Sequence, residues 1–201
     1  MSARQAIAEV GFEEMLGHRN VYKGTDLHKG IIKAYTHSDT TKGKVAAEYI
    51  NAARNSLRVE LEAKSNGKKM KVEFMSFIRR VVLRAVIEVF IGQFFLDGWD
   101  EFNFIDEFMK FQDDLEDATA KSAVMPRMIA LPLLLLPLKR RRLKLERIIS
   151  RRLNDALPES GIGFWLAAVL DEGHDFDVIA QFIIGLLFAG ENYIVLYLVL
   201  I

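Results

Sequence analysis

Apolar positions recur at three- and four-residue spacing along most of this chain, the period of an amphipathic helix. After the capping run Ser38-Asp39-Thr40-Thr41, residues Val45, Ala46, Tyr49, Ile50, Ala53, Leu57 and Leu61 predict one such stripe, and Ser65-Asn66-Gly67 ends it. Val72 to Ile91 is apolar on most faces, with Arg79, Arg80, Arg84 and Glu88 interspersed, as suits a central core helix. Asp97-Gly98-Trp99-Asp100 breaks it. The next helix carries Phe104, Ile105, Phe108, Phe111 and Leu115 on one face and acids on the other. Residues 123–138 are strongly apolar but contain three prolines, which predict a loop rather than a regular helix. A basic helix follows, with Leu145, Ile148, Ile149 and Leu153 as its buried stripe, closed by Pro158 and Gly161. A short helix from Ile162 to Leu170 leads through Gly173 to a last helix with Asp175 as its N-cap.

That last segment, Val178 to Ile201, is apolar on almost every side, so it is buried in a core or spans a membrane. No Gly, Pro or basic last turn marks its end, which predicts a helix interrupted at Ile201. Ala189-Gly190 places two small residues together and permits close approach of a flat ligand or another helix. Glu191 and Asn192 are polar groups in a dry helix, where burial is costly without partners. At the other end, the four glycines between residues 11 and 30 suit loops and short turns. The resulting fold class is all-α after an irregular start.

A hydrophobic share of 51% rules out disorder, and a formal net charge of zero gives no global field to recruit nucleic acid. The charge is nevertheless segregated: Asp97 to Asp117 holds nine acids and one Lys, and Lys139 to Arg152 holds eight bases and one Glu. Lacking interleaved aromatics, the basic run reads as a solvated helix face opposite the acidic helix, and no nucleic-acid partner is expected. The chain has no cysteine, which excludes disulfides, zinc–thiolate sites and cysteine nucleophiles. Its four histidines show no i, i+4 pairing, and neither a nucleophile elbow nor a phosphate loop occurs, so no metal site is expected. The amino terminus lacks a basic region followed by an apolar stretch, so no signal peptide is visible. The Pro/Leu stretch reads either as a buried loop or as an apolar surface at 123–142 that dips into a membrane, with bases placed for anionic headgroups.

Two stretches bring a family into view. They are Leu131-Pro132 to Pro137-Leu138 followed by Lys139-Arg140-Arg141-Arg142, and Phe182-Ile183-Ile184-Gly185-Leu186-Leu187-Phe188-Ala189-Gly190. With the order of elements, they make the chain resemble the middle of a cytochrome P-450, closest in look to the sterol 14-alpha-demethylase, bile-acid and prostacyclin-type branch and its fungal relatives. The resemblance implies a partial fold lacking the proximal haem-binding half. It assigns 1–40 to a loop-rich substrate-side segment and 41–118 to helices C/D, E and F. It assigns 119–138 to an apolar F–G loop and 139–201 to helices G, H and a truncated I.

The resemblance also implies a haem-dependent monooxygenase oxidising a sterol- or fatty-acid-like substrate, with an electron-donating reductase and an endoplasmic reticulum membrane location. It places Ala189 and Gly190 over the porphyrin, and Lys29 and Lys33 near its propionates. Phe188, Glu191, Leu115 and Val21 fall at the substrate pocket. The slots of the proton-relaying acid and alcohol hold Asn192 and Tyr193. The haem-ligating cysteine and Glu-x-x-Arg do not occur, so this chain is expected to bind haem poorly and to be inactive alone. Two other readings stand beside it: a membrane protein with 178–201 as a transmembrane helix, and a non-catalytic helical interaction module.

Overall fold

The computed structural model describes residues 10–36, 39–65, 73–97 and 103–199; for 22–26, 35–36, 39–41, 64–65 and 191–199 it describes the backbone alone. The described residues are mostly helical, with no strand, as the periodicity predicts. In chain order they are α1 (Phe12–Leu16), a π-helical turn (Arg19–Lys23), α2 (Gly24–Thr36), α3 (Asp39–Ser65) and α4 (Phe74–Phe90). A 3-10 turn (Gln93–Phe95) and α5 (Phe104–Ser122) follow, then α6 (Arg127–Ala130) and a second π-helical turn (Leu131–Leu135). The chain continues through α7 (Leu136–Ala156) and α8 (Phe164–Asp171) to α9 (Phe176–Val199).

α9 lies at the centre, packed between α4 and α7. Its Ile179, Ala180, Ile183, Ile184 and Leu187 are buried against Leu83 and Ile87 of α4 and the Leu145–Ile149–Leu153 stripe of α7 in one core cluster. Close packing of apolar side chains at this density supplies most of the fold's stability. The predicted face of α5 is wholly buried: Phe104, Ile105, Phe108, Phe111 and Leu115. Glu73 caps α4 by accepting a hydrogen bond from the Ser76 N–H, and Asn103 caps α5 by accepting from the Asp106 N–H.

The structure departs from the sequence pattern in three places. The Pro/Leu stretch is helical, not a loop. Pro126 precedes α6, Pro132 falls in the wide π-helical turn and Pro137 in the first turn of α7, where a missing N–H and a bulky ring are tolerated. The stretch 12–36, expected to be loop-rich, is mostly helical as well. On α3, the inward face carries Ala52, Ser56 and Glu60, whereas Ile50, Leu57 and Leu61 of the expected stripe are exposed. Small residues there let α3 approach Ala85 and Val89 of α4, and Glu60 meets Arg84 at 3.7 Å.

The acidic and basic helices do face each other: Arg141 of α7 pairs with Asp114 and Glu107 of α5. The basic run is not solely a solvated face, though, because Arg142 is only 4% exposed. Among the described residues, no helix is long and apolar enough to cross a membrane. Asn66, Gly67 and the Gly98-Trp99-Asp100 break lie outside the described residues.

Candidate functional site

A cavity of about 410 Å³ opens between α2, α4 and α9. α9 supplies Gly185, Leu186, Phe188, Ala189 and Gly190; α4 supplies Val86 and Phe90; α2 supplies His28, Lys29 and Ile32. Leu16 of α1 and Asn20 of the first π-helical turn close its base. The wall is almost wholly apolar, the character of a small-molecule site.

Its polar base is built by close approach. A side chain at Gly185 would collide with the Asn20 amide, so glycine there lets Asn20 lie against α9. Asn20 Nδ2 donates to the Leu16 carbonyl and to the Gln181 carbonyl on α9. With both amide hydrogens committed, Asn20 Oδ1 acts as acceptor and receives His28 Nε2–H at 3.3 Å. His28 is therefore the Nε2–H tautomer, and its buried Nδ1 has no hydrogen-bond partner. The imidazole stacks on Trp165 at 5.4 Å and meets the edge of Phe182 at 5.6 Å. Burial pushes its pKa down to about 4.

Behind this wall runs a chain of polar contacts. Gln181 donates to Glu146 at 3.3 Å and accepts from the Arg19 N–H at 3.0 Å. Glu146 pairs with the buried Arg142, whose Nε donates to the Glu14 carbonyl at 3.3 Å. A Cβ at Gly17 would lie 2.7 Å from Gln181 and 2.8 Å from Arg142, at a φ of 91° that other residues rarely adopt. Burial holds the Glu146 carboxyl above its ordinary range in spite of Arg142.

His28 sets a pH dependence. Between its unfolded value near 6.5 and its folded value of about 4, the unfolded chain takes up a proton that the folded chain refuses. Stability therefore falls as pH drops through that window, by on the order of 3 kcal/mol, and this contribution is constant below it. Glu146 acts with the opposite sign, because its carboxyl is raised. Urea midpoints of wild type and His28→Phe at neutral pH and near pH 4 separate the two. The wild type is expected to lose more stability on acidification, and equal losses would remove His28 as the cause.

The cavity brings together Phe188, Ala189, Gly190 and Lys29 from the expected site residues. Lys33 sits one turn beyond Lys29, exposed and off the lining. Leu115 is fully buried in the α5 core and Val21 packs on the core from the π-helical turn, and neither lines the cavity. The side chains of Glu191, Asn192 and Tyr193 lie outside the described residues. Sequence reasoning did not find Asn20, Val86, Phe90 or Ile32, because nothing in their spacing distinguishes cavity lining from core.

Haem fits this lining poorly. The chain supplies no thiolate, and the one imidazole among the described wall residues has its Nε2 committed to Asn20 and its Nδ1 buried. A Cβ at Gly190 would meet Val86 at 3.2 Å, so part of the space expected above a porphyrin is used for helix packing. Among the described residues no cluster of His, Asp or Glu could hold a metal ion. A second cleft, of about 320 Å³ between α5 and α7, has its charges already paired: Asp114 with Arg141 and Asp117 with Lys121. No family model, curated protein or solved structure matches this chain.

Proposed function

We propose that this chain forms the substrate-binding side of a haem-dependent monooxygenase-like fold and holds a lipophilic small molecule in the α2/α4/α9 cavity. The observation that supports this reading is the cavity itself. Phe188-Ala189-Gly190, singled out by resemblance, meets Lys29 there in an apolar pocket of ligand size. These residues bind, orient and exclude water from an apolar molecule. None supplies an iron ligand, so oxygen chemistry and electron delivery belong to groups outside the described lining.

Binding is directly measurable. Trp165 is fully buried and stacks on His28 of the cavity wall, so a heavy-atom ligand in the cavity quenches its fluorescence. With Trp99→Phe leaving one of the two tryptophans, 11-bromoundecanol is expected to quench saturably. Absence of saturable quenching overturns the reading.

Contact with a membrane surface is the second part of the proposal. Val124 is 87%, Met128 89% and Leu133 65% exposed, with the exposed bases Lys139 and Arg140 following them. An apolar patch beside bases suits an interface of anionic lipid, by resemblance that of the endoplasmic reticulum. Burying two such side chains contributes roughly 3 kcal/mol, about a hundredfold in partitioning. Met128→Asp/Leu133→Asp is therefore expected to lose flotation with phosphatidylserine-containing vesicles. Flotation equal to wild type excludes this surface.

A further inference from the structure

We infer that the outer face of α3 is an interface with a second copy of this chain, in which the two α3 helices pair antiparallel about Ala53 and Arg54.

α3 (Asp39–Ser65) packs on α4 and α2, and its inward side carries Ala52, Ser56 and Glu60. At 3.6 residues per turn, Ile50, Leu57 and Leu61 fall within about 20° of one another and about 120° from that side. They are 49%, 39% and 41% exposed. Exposed Ala47 and Arg54 complete the row, so that Ala47, Ile50, Arg54, Leu57 and Leu61 follow at three- and four-residue steps. Apolar side chains left in water at that spacing form the seam of a helix pair.

Charge decides what covers the seam. Lys44, Arg58 and Glu62 lie along the edge of this face turned away from α4, with Glu48 just outside them, and all four are exposed. Their signs are opposed about residue 53: Lys44 stands nine residues before it and Glu62 nine after, Glu48 five before and Arg58 five after. A copy of the helix running the other way about that point sets Lys44 against the partner's Glu62 and Glu48 against the partner's Arg58, and the two-fold axis repeats both pairs. A parallel copy sets each charge against itself. Within one chain Arg58 and Glu62 meet only at 4.0 Å, with side chains 70% and 72% exposed, which leaves both able to reach a partner.

The same arrangement lays Ile50 on the partner's Leu57 and Ala47 on the partner's Leu61. Opposition of charge about a helix's own midpoint is a demand of self-pairing that an unrelated partner does not make. Arg54, at the axis, is the one unfavourable layer, because it meets its own counterpart. A lone polar residue in a seam fixes register at a cost in affinity.

The test is sedimentation equilibrium of the full chain over a concentration series, with Met128→Asp/Leu133→Asp as background to remove the lipid-facing patch. A monomer–dimer equilibrium is expected. Leu57→Asp is expected to weaken it by at least about tenfold, with a urea midpoint that shows the fold intact. Arg58→Glu is expected to weaken it and Glu48→Arg/Arg58→Glu to restore it, whereas Arg54→Leu is expected to tighten it. Because the chain has no cysteine, Arg54→Cys supplies a lone thiol at the axis and is expected to oxidise to a disulfide-linked dimer. Leu61→Cys lies roughly 20 Å from its counterpart in the antiparallel register and is expected to stay unlinked. A chain that remains monomeric up to about 1 mM, the limit of weak association, overturns the inference. So does a dimer that forms equally well in folded Leu57→Asp, or Leu61→Cys that links as readily as Arg54→Cys.

Discussion

Arg142→Met is expected to destabilise the fold by about 3–5 kcal/mol, the usual cost of leaving a buried charge without its partner. Arg142 is 4% exposed and holds Glu146, which in turn receives Gln181 of α9. Without the guanidinium, the Glu146 carboxylate must be buried unpaired or take up a proton. Its carboxyl is already held above the ordinary range, so protonation limits the damage at low pH. A raised carboxyl stabilises the folded state below its unfolded value and loses that contribution as pH rises through its folded value. The variant is thus expected to lose more stability in mildly alkaline than in mildly acidic buffer. Arg142→Met/Glu146→Leu replaces the pair with apolar groups and is expected to recover most of the loss. Chemical denaturation of the three proteins tests this. A single variant within about 1 kcal/mol of wild type, the scale of an exposed ion pair, removes the network from the account of stability.

The same network explains why a stability variant bears on function. Gln181 gives its side chain to Glu146 and its backbone carbonyl to Asn20, and Asn20 receives His28 at the cavity wall. The base of the ligand site is therefore anchored to α7 through three side chains, and loss of Arg142 is expected to loosen it as well as the core.

How far the sequence reveals this depends on the range of the interactions. The α5 face and the α7 stripe are legible because a helix with one partner buries one continuous face: Phe104, Phe108 and Phe111 on one, Leu145, Ile149 and Leu153 on the other. α3 misleads because its burial follows closeness of approach, not hydrophobicity. Ala52 and Ser56 face in while Leu57 and Leu61 face out. The Pro/Leu stretch misleads because proline is read as a breaker, whereas a π-helical turn accommodates it. Of the site, the small-residue pair on α9 is visible from its composition. The polar base is not, since Asn20 and Gln181 are 161 residues apart and meet only where Gly185 leaves room.

Ala189→Phe is expected to weaken binding of 11-bromoundecanol about a hundredfold while leaving the fold intact. Ala189 lines the cavity beside Gly190, across from Val86 and Phe90 of α4. An aromatic ring brings about 150–250 Å² of apolar surface of its own into that space. A ligand shut out from roughly 120 Å² of apolar wall loses about 3 kcal/mol, which is the hundredfold change. Filling an apolar cavity tends to stabilise, so the denaturation midpoint is expected to hold or rise as affinity falls. Misfolding lowers both together, which separates obstruction of the cavity from damage to the protein. Binding within threefold of wild type in a folded Ala189→Phe protein places the ligand elsewhere, because a phenyl ring at this position and an undecyl chain against the same wall cannot share the space.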